Sequence, residues 1–108
     1  MTLNEYQNAA ARTMDYTHSD AWKERHALLE MCSELGEIQS VYQKHMQGHP
    51  FDKDNLIEEI GDLLWGICEL CTVNNIWLDD VAVANIVKLK KRYPNGFSSE
   101  RSLNRGDR

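Results

Sequence analysis

No stretch of this 108-residue chain is apolar for the length of a membrane span, and the opening Met1-Thr-Leu-Asn-Glu5 lacks the basic and apolar regions of an export signal. The sequence therefore reads as soluble and intracellular, with a cytoplasmic location expected. Excess positive charge is missing too: 17 Asp and Glu outnumber 12 Lys and Arg, leaving a formal charge of -5. A sequence-independent grip on DNA or RNA relies on neutralising many backbone phosphates, so no nucleic-acid polymer is expected as a partner. A small phosphorylated metabolite held through cations stays open. Cysteine is sparse and odd in number, and Cys32, Cys68 and Cys71 fit reduced thiols rather than a disulfide framework. Cys68-x-x-Cys71 has no second Cys or His pair nearby to complete a zinc site, so it reads as two small buried residues on a helix. Internal repeats and low-complexity blocks are absent, and strand signals nearly so.

Helical signals fill almost everything up to Tyr93. Thr2-Leu-Asn-Glu5 has the form of a capping box, opening a first helix with Leu3, Tyr6, Ala10 and Met14 at helical spacing. Ser19 or Asp20 caps a long second helix to about Gln47, with Leu28, Cys32, Leu35, Val41 or Tyr42, and Met46 as its expected buried stripe; Gly48 and Pro50 stop it. Asp52 or Asp54 starts a third helix through Leu56, Ile60, Leu63, Leu64, Ile67 and Leu70, ending near Asn74-Asn75. That segment is apolar almost all round, which predicts burial on more than one side, partly against another subunit. Gly61 and Gly66 would allow close helix approach. A fourth helix, capped by Asp79 or Asp80, carries Val81, Ala84, Ile86 or Val87, and Leu89, and closes at Tyr93-Pro-Asn-Gly96. The expected fold is all-α, a bundle of four to five helices in one domain, residues 1–97, completed by oligomerisation. Residues 98–108 are expected to be a polar C-terminal tail.

Two acidic motifs stand out on this scaffold. Glu34-Leu-Gly-Glu37 and Glu59-Ile-Gly-Asp62 each place two carboxylates three residues apart, on one helix face, inside an apolar-periodic segment. Glu58, Glu59 and Asp62 have no Lys or Arg at i+4, and Glu30 and Glu34 form an unfavourable like-charge pair. If the two helices pack together, the four acids converge and call for hard divalent cations, which take oxygen ligands and commonly arrive with a phosphate substrate. Mg²⁺ is the expected ion, with Mn²⁺ as a possible substitute. No Glu is followed by His at the third position, which disfavours a ferritin-like di-iron site, and His45-Met-Gln-Gly-His49 does not make a zincin motif.

Substrate contacts are sought on three further features. Asn85, Lys88 and Arg92 fall on one face of the fourth helix beside Tyr93, an amide and two cations suited to a sugar or base edge and to phosphate oxygens. The same residues also fit an ordinary basic helix end favoured by the helix dipole. Trp22 could stack a base or belong to the core. His26, on the same helix as the first acidic motif, is a candidate to line the site.

Glu34-Leu-Gly-Glu37, then Glu59-Ile-Gly-Asp62-Leu-Leu-Trp65, then Ala84-Asn-Ile-Val-Lys-Leu-Lys-Lys-Arg-Tyr-Pro-Asn-Gly-Phe97 resembles the MazG-like nucleotide pyrophosphohydrolases over roughly the whole chain. The resemblance implies an all-α dimer or tetramer that cleaves a nucleoside triphosphate to the monophosphate and pyrophosphate. It implies Glu34, Glu37, Glu59 and Asp62 as metal ligands. One of these carboxylates, Glu34 ahead of Glu37, is expected to take a proton from the attacking water. Some members carry a further Glu immediately before the first acid, where this chain has Ser33. Basic tail residues Arg101, Arg105 and Arg108 are expected to close over the triphosphate. The competing readings are a non-catalytic helical oligomer that binds a nucleotide or protein, and a phosphohydrolase of another bond.

Overall fold

The computed structural model describes residues 1–104, and all of its elements are helices: α1 (Leu3–Ala11), α2 (Asp20–Met46), α3 (Lys53–Val73), α4 (Leu78–Arg92) and α5 (Ser99–Leu103). The all-α expectation holds. No strand forms among the described residues, and none of their helices is long and apolar enough to cross a membrane.

Local chemistry explains most boundaries. The Thr2 hydroxyl accepts from the Glu5 N–H at 3.0 Å while the Glu5 carboxylate accepts from the Thr2 N–H at 3.4 Å, the reciprocal capping box. Ser19 caps α2 through the Trp22 N–H at 3.2 Å, and Asp52 caps α3 through the Asn55 N–H at 3.0 Å. Gly48 ends α2 at φ 101°, with the His49 and Gly48 N–H groups donating back to the Lys44 and His45 carbonyls. Asn75 does the same for α3 at φ 57°, one of the few side chains that tolerate the left-handed region.

The start of α4 differs from expectation. Neither Asp79 nor Asp80 caps it; the capping position is Trp77, two residues before Asp79, and it has no local side-chain cap. Its free N–H groups are met from α1 instead, where Gln7 Oε1 accepts from Leu78 at 2.7 Å and Asn4 Oδ1 from Asp79 at 2.9 Å. The buried Gln7 amide also donates to the Ile76 carbonyl at 2.9 Å and to Thr72 Oγ1 at 3.2 Å, so one side chain ties α1, the end of α3 and the start of α4. Such a tertiary cap leaves no periodic trace in sequence.

The centre of the fold is the antiparallel α2–α3 hairpin, flanked by α1 on α3. At Gly66 the helices approach so closely that an added Cβ would lie 2.9 Å from Met31 Cγ and 3.6 Å from the Ala27 carbonyl oxygen. Gly61, also expected to permit close approach, meets nothing within 4 Å. Burial pushes the Cys68 thiol up to about 11 and raises Cys71 as well, so both stay neutral and pack as small apolar groups.

Two expected apolar stripes are not the buried ones. On α2, Leu28, Cys32, Leu35, Tyr42 and Met46 are exposed and only Val41 of that set is buried. The buried and half-buried row is instead Lys23, Ala27, Glu30, Met31, Glu34, Ile38 and Val41, rotated by about one residue, or 100°. On α4, Val81, Val83, Ile86, Val87 and Leu89 are exposed, because this helix packs on α1 rather than closing over the hairpin. The radius of gyration, 17.2 Å, exceeds the roughly 13 Å of a compact domain of this length. Finally, residues 99–103 form the short helix α5, capped by Ser98, where only a tail is expected from sequence.

Candidate active site

The polar seam of the hairpin is set by helical spacing. His26, Glu30 and Glu34 follow one another at i, i+4 and i+8 on α2, and Glu59, Asp62 and Glu69 answer them from α3. Glu34, Glu59 and Asp62 each offer a carboxylate oxygen, and these atoms all lie within 4.8 Å of one another. At that separation two full charges repel by about 3 kcal/mol at an effective dielectric of about 20. The result is visible at Glu34, whose carboxyl is pushed up to about 7 by burial, by the adjoining Glu59 and Glu30 carboxyls and by the charge of Asp62. Its Oε2 is buried with no hydrogen-bond partner among the described residues. A divalent cation fits this donor set: three hard oxygens, mutual repulsion and one orphaned ligand atom all call for positive charge.

The expected four-acid convergence is thus three acids here. Glu37 is exposed and outside the group, although Asp62 at the same three-residue step from Glu59 is inside it. Ser33 is exposed as well.

His26 lies two turns along α2 from Glu34. Its Nδ1 is 2.7 Å from Glu69 Oε1, and its Nε2 is 3.9 Å from Glu30 Oε2. Trp22 stacks on the ring at 4.9 Å between centroids, and Trp65 meets it edge-on at 6.1 Å. The other neighbour of Trp22 is His18, stacked at 3.7 Å, so the Trp22 ring is sandwiched between two imidazoles from i-4 and i+4. A base could stack on Trp22 only by displacing one of them. Trp65 is held by a 2.7 Å hydrogen bond from its indole N–H to Thr13 Oγ1.

The Asn85–Lys88–Arg92 face is not gathered with these groups. It belongs to α4, whose packing is against α1; Asn85 and Lys88 are exposed, and half-buried Tyr93 packs on Phe97 with centroids 5.4 Å apart. Arg101 does not lie over the acids either. Its guanidinium donates to the Lys91 carbonyl at 3.2 Å and to the Arg92 carbonyl, capping the C-terminus of α4. Arg105 and Arg108 lie outside the described residues. At the far end of the hairpin, a cavity of about 570 Å³ is lined by Val41, Lys44, His49 and residues 50–55, among them Lys53.

Glu69 is the residue that sequence reading misses. It is 1% exposed, and its Oε2 is buried without a hydrogen-bond partner among the described residues. The signal was present: it sits seven residues after Asp62 in the most apolar segment, with no cation at i+4.

Comparison with known proteins agrees with this architecture. A curated relative, the Gene 37 protein of Mycobacterium phage L5, is 27% identical over 105 residues, covering 89% of this chain and 92% of that protein. Among solved structures, iMazG from Vibrio DAT 722 superposes with a TM-score of 0.64 at 23% identity, covering 86% of this chain and 98% of that one, which shows the shared fold. The family model of the MazG nucleotide pyrophosphohydrolase domain matches residues 23–97, the span that holds the hairpin, all the acids of the seam and α4, and the chain belongs to that family.

Proposed function

We propose that the protein is a Mg²⁺-dependent nucleoside triphosphate pyrophosphohydrolase, converting a ribo- or deoxyribonucleoside triphosphate to the monophosphate and pyrophosphate, with nucleotide-pool sanitation as its role. The observation that carries this reading is the Glu34–Glu59–Asp62 cluster with its orphaned Glu34 oxygen, in a chain of this family. Glu34, Glu59 and Asp62 would hold the ion, and Glu37 would join them by a change of side-chain rotamer. Mn²⁺ would substitute. When bound, the ion supplies neutralising charge to the phosphates and makes water more acidic.

In this reaction, water attacks the α-phosphorus, the bond from that phosphorus to the bridging oxygen of the β-phosphate breaks, and pyrophosphate departs with the electron pair. Glu34 is the first candidate to accept the water's proton, with Glu37 as the second. Asp62 and Glu59 fix the geometry around it from α3. Asn85, Lys88, Arg92 and Tyr93 complete the substrate site when a second copy brings an α4 to the hairpin. That assembly, a homodimer or homotetramer, would cover Leu28, Leu35, Ile57, Ile60, Ile86 and Val87, all exposed in the single chain. The site is read as cytoplasmic, acting on free nucleotides.

The deciding experiment incubates the protein with each ribo- and deoxyribonucleoside triphosphate and Mg²⁺ and measures pyrophosphate and orthophosphate separately. Pyrophosphate with the monophosphate is expected for at least one substrate. Nucleotide binding without turnover would favour a non-catalytic oligomer, and orthophosphate release would favour a different phosphohydrolase; either result sinks the proposal.

A further inference from the structure

A fully buried carboxylate beside an imidazole is costly unless the pairing does something. Glu69 is 1% exposed, and its single polar contact among the described residues is the 2.7 Å approach to His26 Nδ1. The short distance requires a proton between the two atoms, and an ionised Glu69 places it on Nδ1. The ring is also fixed in its other degree of freedom, by Trp22 on its face and the edge of Trp65. What remains available is Nε2: the side chain is 36% exposed, and Glu30 at 3.9 Å is too far to take a hydrogen bond from it.

The two ends of the hairpin seam differ in a way that orients a nucleotide. Beyond the acids in one direction lie Lys44, His49 and Lys53 together with Asp52 and Asp54 around the 570 Å³ cavity, a lining of mixed charge. In the other direction lie His26 and the indoles. A nucleoside matches the aromatic end, with the phosphates at the acids between. Two helical turns, about 12 Å, separate His26 from Glu34, within reach of the sugar or base of a nucleotide whose phosphates sit at the acids. We propose that Glu69 is a positioning residue: by holding Nδ1 it presents His26 Nε2 to the nucleoside end of the substrate, an inference that rests on the pyrophosphohydrolase reading.

Nitrogen-15 NMR of the whole protein at pH 8.5, with His26 assigned from a His26→Gln variant, reads the first half directly. Nδ1 of His26 should be protonated in the wild type. Glu69→Leu should revert His26 to the Nε2–H form, and Glu69→Gln, which keeps an acceptor but loses the charge, should give a mixture and carries the test if the Leu variant does not fold. An unprotonated Nδ1 in the wild type, or a wild-type His26 spectrum in Glu69→Leu, overturns the proposal. For the second half, KM for the best nucleoside triphosphate should rise about tenfold in Glu69→Leu and in His26→Gln, the worth of one hydrogen bond, with kcat nearly unchanged and no further loss in the double variant. Mg²⁺ affinity measured without nucleotide should stay at the wild-type value. Losses that multiply in the double variant, or a fall in kcat alone, overturn it. Absence of any turnover in the wild type removes the pyrophosphohydrolase reading and with it the nucleoside role of His26, while the NMR result still decides whether Glu69 fixes the ring.

Discussion

The α2–α3 hairpin and α4 are built by opposite rules. The hairpin turns polar groups inward: Glu34 and Glu69 sit at its interface, and Gly66 lets the backbones close around them. Helix α4 turns apolar groups outward, with Ile86 50% and Val87 61% exposed, and holds on to the rest of the chain through α1 and the Gln7 and Asn4 caps. An inward acid needs a cation, and an outward aliphatic face needs a protein surface. One chain therefore gathers three carboxylates by itself but leaves the apolar face of α4 uncovered.

The sharpest way to break that comparison is to neutralise the centre alone. Asp62→Asn should lower pyrophosphate release on the order of a thousandfold, with the helical circular dichroism unchanged because Asp62 is exposed and its helix is held by other residues. Wild-type-like turnover in that variant would remove Asp62 from the site. The matching change on α4 is Ile86→Glu. A buried charge in a subunit interface should dissociate the oligomer in sedimentation experiments and reduce turnover while leaving Mg²⁺ affinity intact. An unchanged sedimentation profile would mean that this face is not the interface.

Within the hairpin, two glycines separate packing from propensity. Gly66→Ala gains about 1 kcal/mol of helix propensity but drives its Cβ to 2.9 Å from Met31 Cγ and against the α2 backbone, which typically costs about 1–3 kcal/mol. Its melting temperature should fall. Gly61→Ala meets nothing within 4 Å and should raise it by the propensity difference alone. Equal shifts in the two variants would mean that the close approach is not under strain.

How far these features could be read in sequence depended on how local their causes were. The Thr2–Glu5 capping box, the Gly48 stop and the i, i+3 acids are short-range and legible. The buried faces of α2 and α4 were not, because periodicity reports that an apolar stripe exists and not which neighbour covers it. Leu28 and Leu35 form as regular a stripe as Ala27 and Met31, and only the hairpin contact decides between them. The cap of α4 by Gln7 and the pairing of Glu69 with His26 link positions far apart in the chain, so no spacing rule reaches them.

The smallest expected effect tests the charge state of the centre itself. Glu34 titrates near 4.5 in an unfolded chain and is raised to about 7 in the fold, by burial first and by Glu59, Asp62 and Glu30 after that. Between those values the folded protein binds more protons than the unfolded one, so its stability falls as pH rises. The contribution of Glu34 is fully present below about 4.5 and lost above about 7. Metal-free protein should therefore melt a few degrees higher at pH 5.5 than at pH 7.5, once the behaviour of Glu34→Gln, which mimics the protonated form and cannot titrate, is subtracted. Mg²⁺ should reverse the trend, because it binds the ionised carboxylates of the folded state only, so its stabilisation grows with pH and its uptake at pH 6.5 releases protons measurable by calorimetry in buffers of different ionisation enthalpy. If wild type and Glu34→Gln share one pH profile, the Glu34 carboxyl is not under the repulsion that the cluster implies, and the case for a cation between α2 and α3 weakens with it.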